Sequence, residues 1–451
     1  MFLNKQKAFQ HKEGVKDGIM PRYKFKNLML AVMAFALLVP GVCFAKADSQ
    51  ESLPLSVRQI LYKAYTAMNE NKPGEAAALL CKFKQNPKNA KDMAEARTMV
   101  EFAEGNGRYM AKDYKGAMAC FEQAVKSDPN YSAAWSNMAV LCHEMGDTLR
   151  AAQCFLQAYN TAEEKKPDLL YSAAAAFLMT EQYADSIAAF ERLFTEFPQQ
   201  VTNQWREYAV HAYLGSKQPR KALRLVEYLA VNTEGNEWRR WNEFLLHQYL
   251  DLEMNKKALS LVERLVDKEP GDPLWWKALA NLHLSENRLE EGLMALWAYG
   301  KITPWNEEEQ KLAADLFLVL DVPAEAVAIL ELLPEKELTA SLVRQGVYCY
   351  RRMQQTGKAI ALLDKHAYRL KDKELTILRA DIFYESGNFC DACEAYERAA
   401  KEGCSPGRAW LMAGYSALAH GDKNKANHAF QKAMTFQSHS REAKNMLKRL
   451  S

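Results

Sequence analysis

From residue 57 onward the hydrophobic and polar positions fall into a frame that keeps returning. One copy reads Lys115-Gly116-Ala117-Met118-Ala119-Cys120-Phe121-Glu122-Gln123-Ala124, closed by Asp128-Pro129. Thirty-four residues after Ala117 the frame comes back in Arg150-Ala151-Ala152-Gln153-Cys154-Phe155-Leu156-Gln157-Ala158. Its signature is a small residue followed four places later by a large one, which makes the two neighbours on one helix face. The small members are Ala76, Ala117, Ala151, Ser186, Ala222, Ala258, Gly292, Ala326, Ala359, Ala392 and Ala426. Their large partners are Leu80, Phe121, Phe155, Phe190, Val226, Val262, Leu296, Leu330, Leu363, Tyr396 and Phe430. Successive spacings are 41, 34, 35, 36, 36, 34, 34, 33, 33 and 34, a period that marks a repeat architecture.

Twelve residues before each small member stands another residue, small at Ala64, Gly105, Ala139, Ala174, Ala280, Ala314, Ala380 and Gly414, bulky at Val210, Leu246 and Val347. Between the two lie turn formers such as Met145-Gly146-Asp147 and Ala419-His420-Gly421-Asp422. Each unit is therefore expected to be two amphipathic helices joined by a tight turn, their backbones brought close by the small residues. Pro129, Pro198, Pro270 and Pro304 should stop the second helix. The 41-residue step around residues 87–97 calls for a lengthened loop or first helix, and residues 440–450 (SREAKNMLKRL) read as a closing helix.

This pattern resembles the tetratricopeptide repeat, a helix–turn–helix of 34 residues with set small and aromatic positions. Trp135, Trp276 and Trp410 fall on the aromatic position of the first helix, and Tyr213, Tyr249 and Tyr350 on its tyrosine position. Ala124, Ala158, Ala399 and Ala433 fall on the last alanine. The resemblance covers nearly all of residues 57–439 and implies an all-α, right-handed superhelical solenoid of about eleven repeats with a C-terminal capping helix. The middle units depart from it, with Val226, Val262 and Leu296 in place of the aromatic residue.

The beginning of the chain has a different character. Residues 20–26 (MPRYKFK) are basic, residues 28–39 (LMLAVMAFALLV) are wholly apolar, and Ala45-Lys46-Ala47 fits a small-x-small cleavage site. That order reads as a secretory signal. Twelve apolar residues make about 18 Å of helix, short of a ~30 Å hydrocarbon core. The expected organisation is a signal peptide over 1–47, a linker over 48–56, the repeat array over 57–439 and the cap over 440–451. An uncleaved anchor, lipidation at Cys43, and a true start at Met20 instead of Met1 remain open. The expected location is the periplasm, with no membrane-spanning segment after cleavage.

Composition sharpens this reading. A chain of 451 residues is long for a single core, whereas stacked repeats need none. Only 20 Gly and 15 Pro argue against turn-rich sandwiches and barrels. The formal charge is +3, but residues 1–47 hold eight Lys/Arg and two Asp/Glu, so cleavage leaves −3. A nucleic-acid partner, which calls for a basic excess, is not expected.

Candidate chemistry is thin. No phosphate loop, GxSxG or HExxH occurs, and Gly105-Asn106-Gly107 lies inside a first helix with Gly105 at the packing position. Cys390-Asp391-Ala392-Cys393 straddles the packing Ala392, with Cys404 the nearest third thiol, so the two read as helical packing residues and not as a redox or zinc site. Cleavage would leave eight cysteines; Cys120 and Cys154, at equivalent repeat positions, are expected to lie too far apart to bond. His143, His211, His247 and His283 recur one per repeat; His283 takes the tyrosine packing position and the others read as polar groove residues. No metal, cofactor or catalytic constellation is expected.

The fold places its first helices along the concave side. Those positions read Glu207, His211, Arg240, Glu243, His247, Lys277, Asn281, Lys311, Asp315, Arg344, Tyr348 and Arg351. Mixed charge interleaved with an aromatic suits an extended peptide or a helix of another protein. Some tetratricopeptide domains grip a C-terminal carboxylate; Lys277 and Asn281 match the first pair of that clamp, but Leu312, Ser341 and Gln345 depart from the rest. Six of nine tryptophans fall between Trp238 and Trp305, as a hot spot, a sugar-stacking surface or packing.

The expected function is a non-catalytic scaffold in the bacterial envelope. The chain also looks like the periplasmic tetratricopeptide proteins that accompany TonB–ExbB–ExbD systems, on residues 276–282, 291–296 and 307–330; this would imply a part in TonB-dependent transport. The alternatives are a scaffold for polysaccharide export or for outer-membrane or cytochrome assembly, and, remotely, a glycan-acting enzyme using Glu207, Glu243, Glu308 or Asp315.

Overall fold

The computed structural model describes residues 53–370 and 372–450. The expected leader, its cleavage site and Cys43 lie outside the described residues. Twenty-three α-helices and three short 3₁₀ turns account for the regular structure there, with no strand among the described residues. The chain divides after Met254 into two compact units.

The first unit holds α1 (Leu55–Asn69), α2 (Pro73–Gln85), α3 (Ala90–Met110), α4 (Tyr114–Ser127), α5 (Ser132–Glu144), α6 (Thr148–Thr161), α7 (Pro167–Met179), α8 (Tyr183–Glu196), α9 (Asn203–Gly215), α10 (Pro219–Asn232) and α11 (Gly235–Asp251). The second holds α12 (Asn255–Lys268), α13 (Pro273–Ser285), α14 (Leu289–Ile302), α15 (Glu307–Val319), α16 (Pro323–Leu332), α17 (Ala340–Arg352), α18 (Thr356–Leu370), α19 (Lys373–Glu385), α20 (Phe389–Lys401), α21 (Pro406–His420), α22 (Lys423–Met434) and α23 (Gln437–Leu450). Within each unit the helices pack in sequence order, each against its chain neighbours. This is the expected all-α stack of helix pairs, closed at its end by α23, which starts three residues earlier than the pattern suggests.

The repeating frame is the core. All eleven small residues and all eleven large partners are buried. Complete burial of a Phe or Leu stabilises by about 1.5–3 kcal/mol, and the small residues make that burial possible. At Gly105 a Cβ would stand 2.5 Å from the Phe121 ring, and at Gly414 one would stand 2.5 Å from that of Phe430. Ser186, the polar member of the series, donates its hydroxyl to the Ala174 carbonyl at 2.8 Å, so its burial leaves nothing unsatisfied.

The turns are equally regular. Five residues before every small member the backbone is left-handed: Asn71, Lys112, Gly146, Glu181, Lys217, Glu253, Asn287, Asp321, Gln354, Gly387 and Gly421 all have positive φ. The following N–H then reaches back to the first helix, as in Asp113 N to Arg108 O and Asp147 N to Cys142 O, both 2.8 Å. These 6→1 bonds cap the first helix and aim the chain into the second. Pro129, Pro198, Pro270 and Pro304 each stand two residues beyond a second helix, as expected. The 41-residue step is taken up by a 3₁₀ turn at Pro87–Asn89 and a 21-residue α3, kinked at Ala96.

Candidate partner-binding surface

In the first unit the candidate residues come from α9 (Glu207, His211) and α11 (Arg240, Glu243, His247), all half-buried. Arg240 ties the two helices together through a 2.9 Å pair with Glu207; it also meets Glu237 at 2.5 Å and lies 5.0 Å from the Trp241 ring centre. Glu243 pairs with Arg239 at 3.0 Å, one turn back on its own helix. Burial raises the Glu207 carboxyl above its ordinary range, against the pull of Arg240. Burial also lowers His211, with Arg240 adding to the effect, and lowers His247 against Asp251 and Glu243. This face therefore carries neutral imidazoles beside a compensated arginine.

In the second unit the residues come from α13 (Lys277, Asn281), α15 (Lys311, Asp315) and α17 (Arg344, Tyr348, Arg351). The structure again joins successive first helices. Lys277 lies 3.1 Å from Glu309 at the start of α15, and Lys311 lies 2.8 Å from Glu337 just ahead of α17. Asp315 accepts from the Gln345 amide at 2.8 Å. Arg344 pairs with Glu374, and Arg351 with Glu385, on α19. Tyr348 stands out from this ladder with half of its surface exposed, and Asn281 is half-buried.

Lys277, the residue that matches the carboxylate clamp, is engaged by Glu309. The Glu309 side chain is 1% exposed; one oxygen accepts from the Asn306 N–H at 3.0 Å in a capping box, and the other faces Lys277. A buried carboxylate must keep its counter-charge, so this ammonium is committed to the fold.

Sequence reasoning missed a buried charge cluster in the first unit. Ligand atoms of Glu101, Glu104 and Cys120 lie within 4.8 Å of one another. Lys84 reaches Glu101 at 2.7 Å and Glu104 at 2.9 Å, and Arg108 meets Glu104 at 2.8 Å, so two cations already fill the place a metal would take. The tryptophan-rich middle divides. Trp238, Trp241 and Trp275 are buried, Trp276 and Trp305 half-buried, and Trp297 is 40% exposed. Trp135 and Trp276 each donate their indole N–H to a carbonyl, of Pro129 and Pro270, at 2.8 Å. Of the carboxylates considered for glycan chemistry, Glu207, Glu243 and Asp315 have the partners above and Glu308 is exposed. Cys393 and Cys404 are buried and Cys390 half-buried, as packing residues would be.

Two stretches of the chain, residues 120–153 and 377–438, match the tetratricopeptide repeat family. Those two stretches are tetratricopeptide repeats. The first match runs from within α4 into α6, and the second from α19 to the start of α23. Tetratricopeptide features extend between them: Tyr213 and Tyr249, at the tyrosine position, donate to Glu191 and Glu227 of the preceding second helix at 2.8 and 2.7 Å. No curated protein matches the chain. Solved structures similar to this chain include a chain of Naa15/Naa10 bound to HypK-THB, at 13% identity and a TM-score of 0.34, over 83% of this chain and 68% of that one. A tetratricopeptide repeat protein from Parabacteroides merdae is similar at 14% identity and 0.31, over 59% and 100%. YrrB, a tetratricopeptide protein with an unusual peptide-binding site, is similar at 16% identity and 0.29, over 42% and 94%.

Proposed function

We propose that this protein is an exported, non-catalytic scaffold that holds an extended peptide or a helix of another envelope protein against its first-helix faces. The observation that carries the reading is the ladder of ion pairs on those faces. Its half-buried or exposed members are Arg240 in the first unit and, in the second, Lys311 with Arg344 and Arg351, the last two flanking the exposed Tyr348 on α17. A partner's carboxylates and cations can exchange into such pairs with little desolvation cost, while an exposed tyrosine supplies an anchor. Export is supported by the order of basic, apolar and small residues in 20–47. The periplasm is the compartment that follows, and the likeness of residues 276–282, 291–296 and 307–330 supports a role beside a TonB–ExbB–ExbD system. The reading requires no cofactor and no nucleic acid.

The test is capture of partners from envelope extract by the wild type, by Tyr348→Ala and by the combined change of Arg240, Lys311 and Arg344 to Glu. Circular dichroism confirms that each variant is folded, since the charge reversals break internal pairs. The expected result is loss of a specific partner by both variants, at least tenfold for the triple change. A partner retained equally by all three proteins would place binding elsewhere.

A further inference from the structure

The last stretch of the chain carries a charge unlike the rest. Residues 421–451 hold seven Lys/Arg against two Asp/Glu, whereas residues 53–420 hold 44 against 50. All seven cations are exposed. Four stand on α23, whose apolar side, Ala443 with Met446, Leu447 and Leu450, packs on α21 and α22. The opposite side presents Arg441, Lys444 and Lys448, at i, i+3 and i+7, one above another on a single face. They span about 10 Å along the helix. Three lysines of α22 stand on the neighbouring helix.

Carboxylates near this row are few and already engaged. Neither α21 nor α22 contains an Asp or Glu. Glu442, the one carboxylate side chain of α23, accepts from the Tyr415 hydroxyl at 2.6 Å, and Asp422 caps α22 through the Lys425 N–H at 2.9 Å. A capping helix needs a polar outer face, but either sign of charge or a mixture would serve. The helix dipole favours Lys448 and Arg449 in the last turn; it gives no reason for Arg441 and Lys444. Like charges one turn apart repel, so the row lowers the stability of the helix that bears it. A feature that costs the fold and is not required by it points to an anionic partner. The uncharged surface narrows the kind. No Phe, Tyr or Trp is exposed among residues 421–450, and Met434 is the one large apolar side chain exposed there. Base stacking and peptide anchoring both draw on such side chains. A sheet of anionic headgroups needs none, because it meets a row of cations with charge alone.

We propose that the outer face of α23 is a docking surface for a bilayer rich in anionic phospholipid, with the charged ends of Arg441, Lys444 and Lys448 against the phosphates. The apolar side of the helix stays in the core, so the contact is peripheral and weakens as salt screens it. Two helix pairs, α19–α20 and α21–α22, come between it and the pair that carries Tyr348, so this inference does not rest on the proposed partner surface.

The full chain is sedimented with vesicles of phosphatidylcholine alone or with about one third phosphatidylglycerol, in about 50 or about 500 mM salt. Brief acetylation followed by mass spectrometry reads the reactivity of Lys444 and Lys448. Attachment through the apolar leader would be the same on both vesicles. The expected result is stronger binding to the anionic vesicles in low salt, with both lysines shielded there, and loss of both effects in high salt. Changing Arg441, Lys444 and Lys448 together to Gln should weaken binding to anionic vesicles by roughly a hundredfold. The same change at Lys63, Lys115 and Lys221, exposed cations of the first unit, should leave it unchanged. If the first variant fails to fold, the shielding of the wild-type lysines decides alone. Lysines equally reactive on both vesicles, a preference for anionic vesicles retained by the first variant, or equal losses in the two variants would overturn the proposal. Tighter binding of a single-stranded polynucleotide or of polyglutamate through the same three residues would overturn it too.

Discussion

A glycine shows how much of this fold depends on single positions. Gly105 has no room for a methyl group because the Phe121 ring occupies that space. Gly105→Ala gains about 1 kcal/mol of helix propensity but forces a repacking that costs about 1–3 kcal/mol, for a net loss on the order of 1 kcal/mol. Gly74→Ala is the control, since nothing lies within 4 Å of its would-be Cβ, and it should be neutral or stabilising. Urea denaturation of the two variants measures the contrast; equal effects would show that Phe121 moves aside freely. These packing residues were legible in the sequence because each recurs eleven times at a nearly constant spacing. The charge partners were not. Arg240 finds Glu207 33 residues back, Lys277 finds Glu309 32 residues ahead, and Lys311 finds Glu337 only 26 residues ahead. Pairs that depend on side-chain reach across neighbouring repeats leave no fixed spacing, so the candidate surface could be placed on its helices but not recognised as internally paired.

At the scale of the helix pair, the turn holds an unused reserve of stability. The left-handed residue is glycine in three units and a side-chain-bearing residue in eight. Such a conformation costs a non-glycine residue roughly 1–2 kcal/mol, offset in part by the larger entropy that glycine loses on folding. Lys112→Gly, Glu181→Gly and Lys217→Gly are therefore each expected to stabilise by about 0.5–1 kcal/mol. Asn71→Gly and Asn287→Gly should gain less, because asparagine tolerates this region. Chemical denaturation ranks the five variants; destabilisation by the Lys and Glu changes would mean that their side chains hold the turn by contacts the backbone argument omits. The sequence signalled the three glycine turns directly. The other eight were legible only from the period, because nothing in Lys112 or Glu253 itself announces a left-handed backbone.

Across the whole molecule, two buried and two half-buried histidines set a response to acid. Burial lowers His211, His247, His283 and His366 below the ordinary 6.5, and in each case it is the largest cause. Arg288 adds to the effect at His283 against Glu291, Glu263 and Glu286, and Lys365 and Arg369 add to it at His366 against Glu335. As the pH falls through about 6.5 the unfolded chain takes up protons that the folded one refuses, so stability rises with pH in this window. The contribution is complete above 6.5 and is lost as the pH descends toward the depressed folded values. Glu207, raised by burial, works in the opposite sense, since the folded state protonates it first. Carboxylates held low, Glu291 by a hydrogen bond from its own backbone N–H and then by Arg288, and Glu335 by Lys365, lose their contribution only at still lower pH, which keeps the two regimes apart. Urea midpoints should therefore fall between pH 7.5 and 5.5. The combined change of His283→Tyr, which restores the residue usual at that packing position, and His366→Leu should flatten the fall without lowering stability much at pH 7.5. A pH dependence unchanged in that double variant would assign the acid response to the surface-facing histidines of α9 and α11, and would tie it to the partner surface and not to the core.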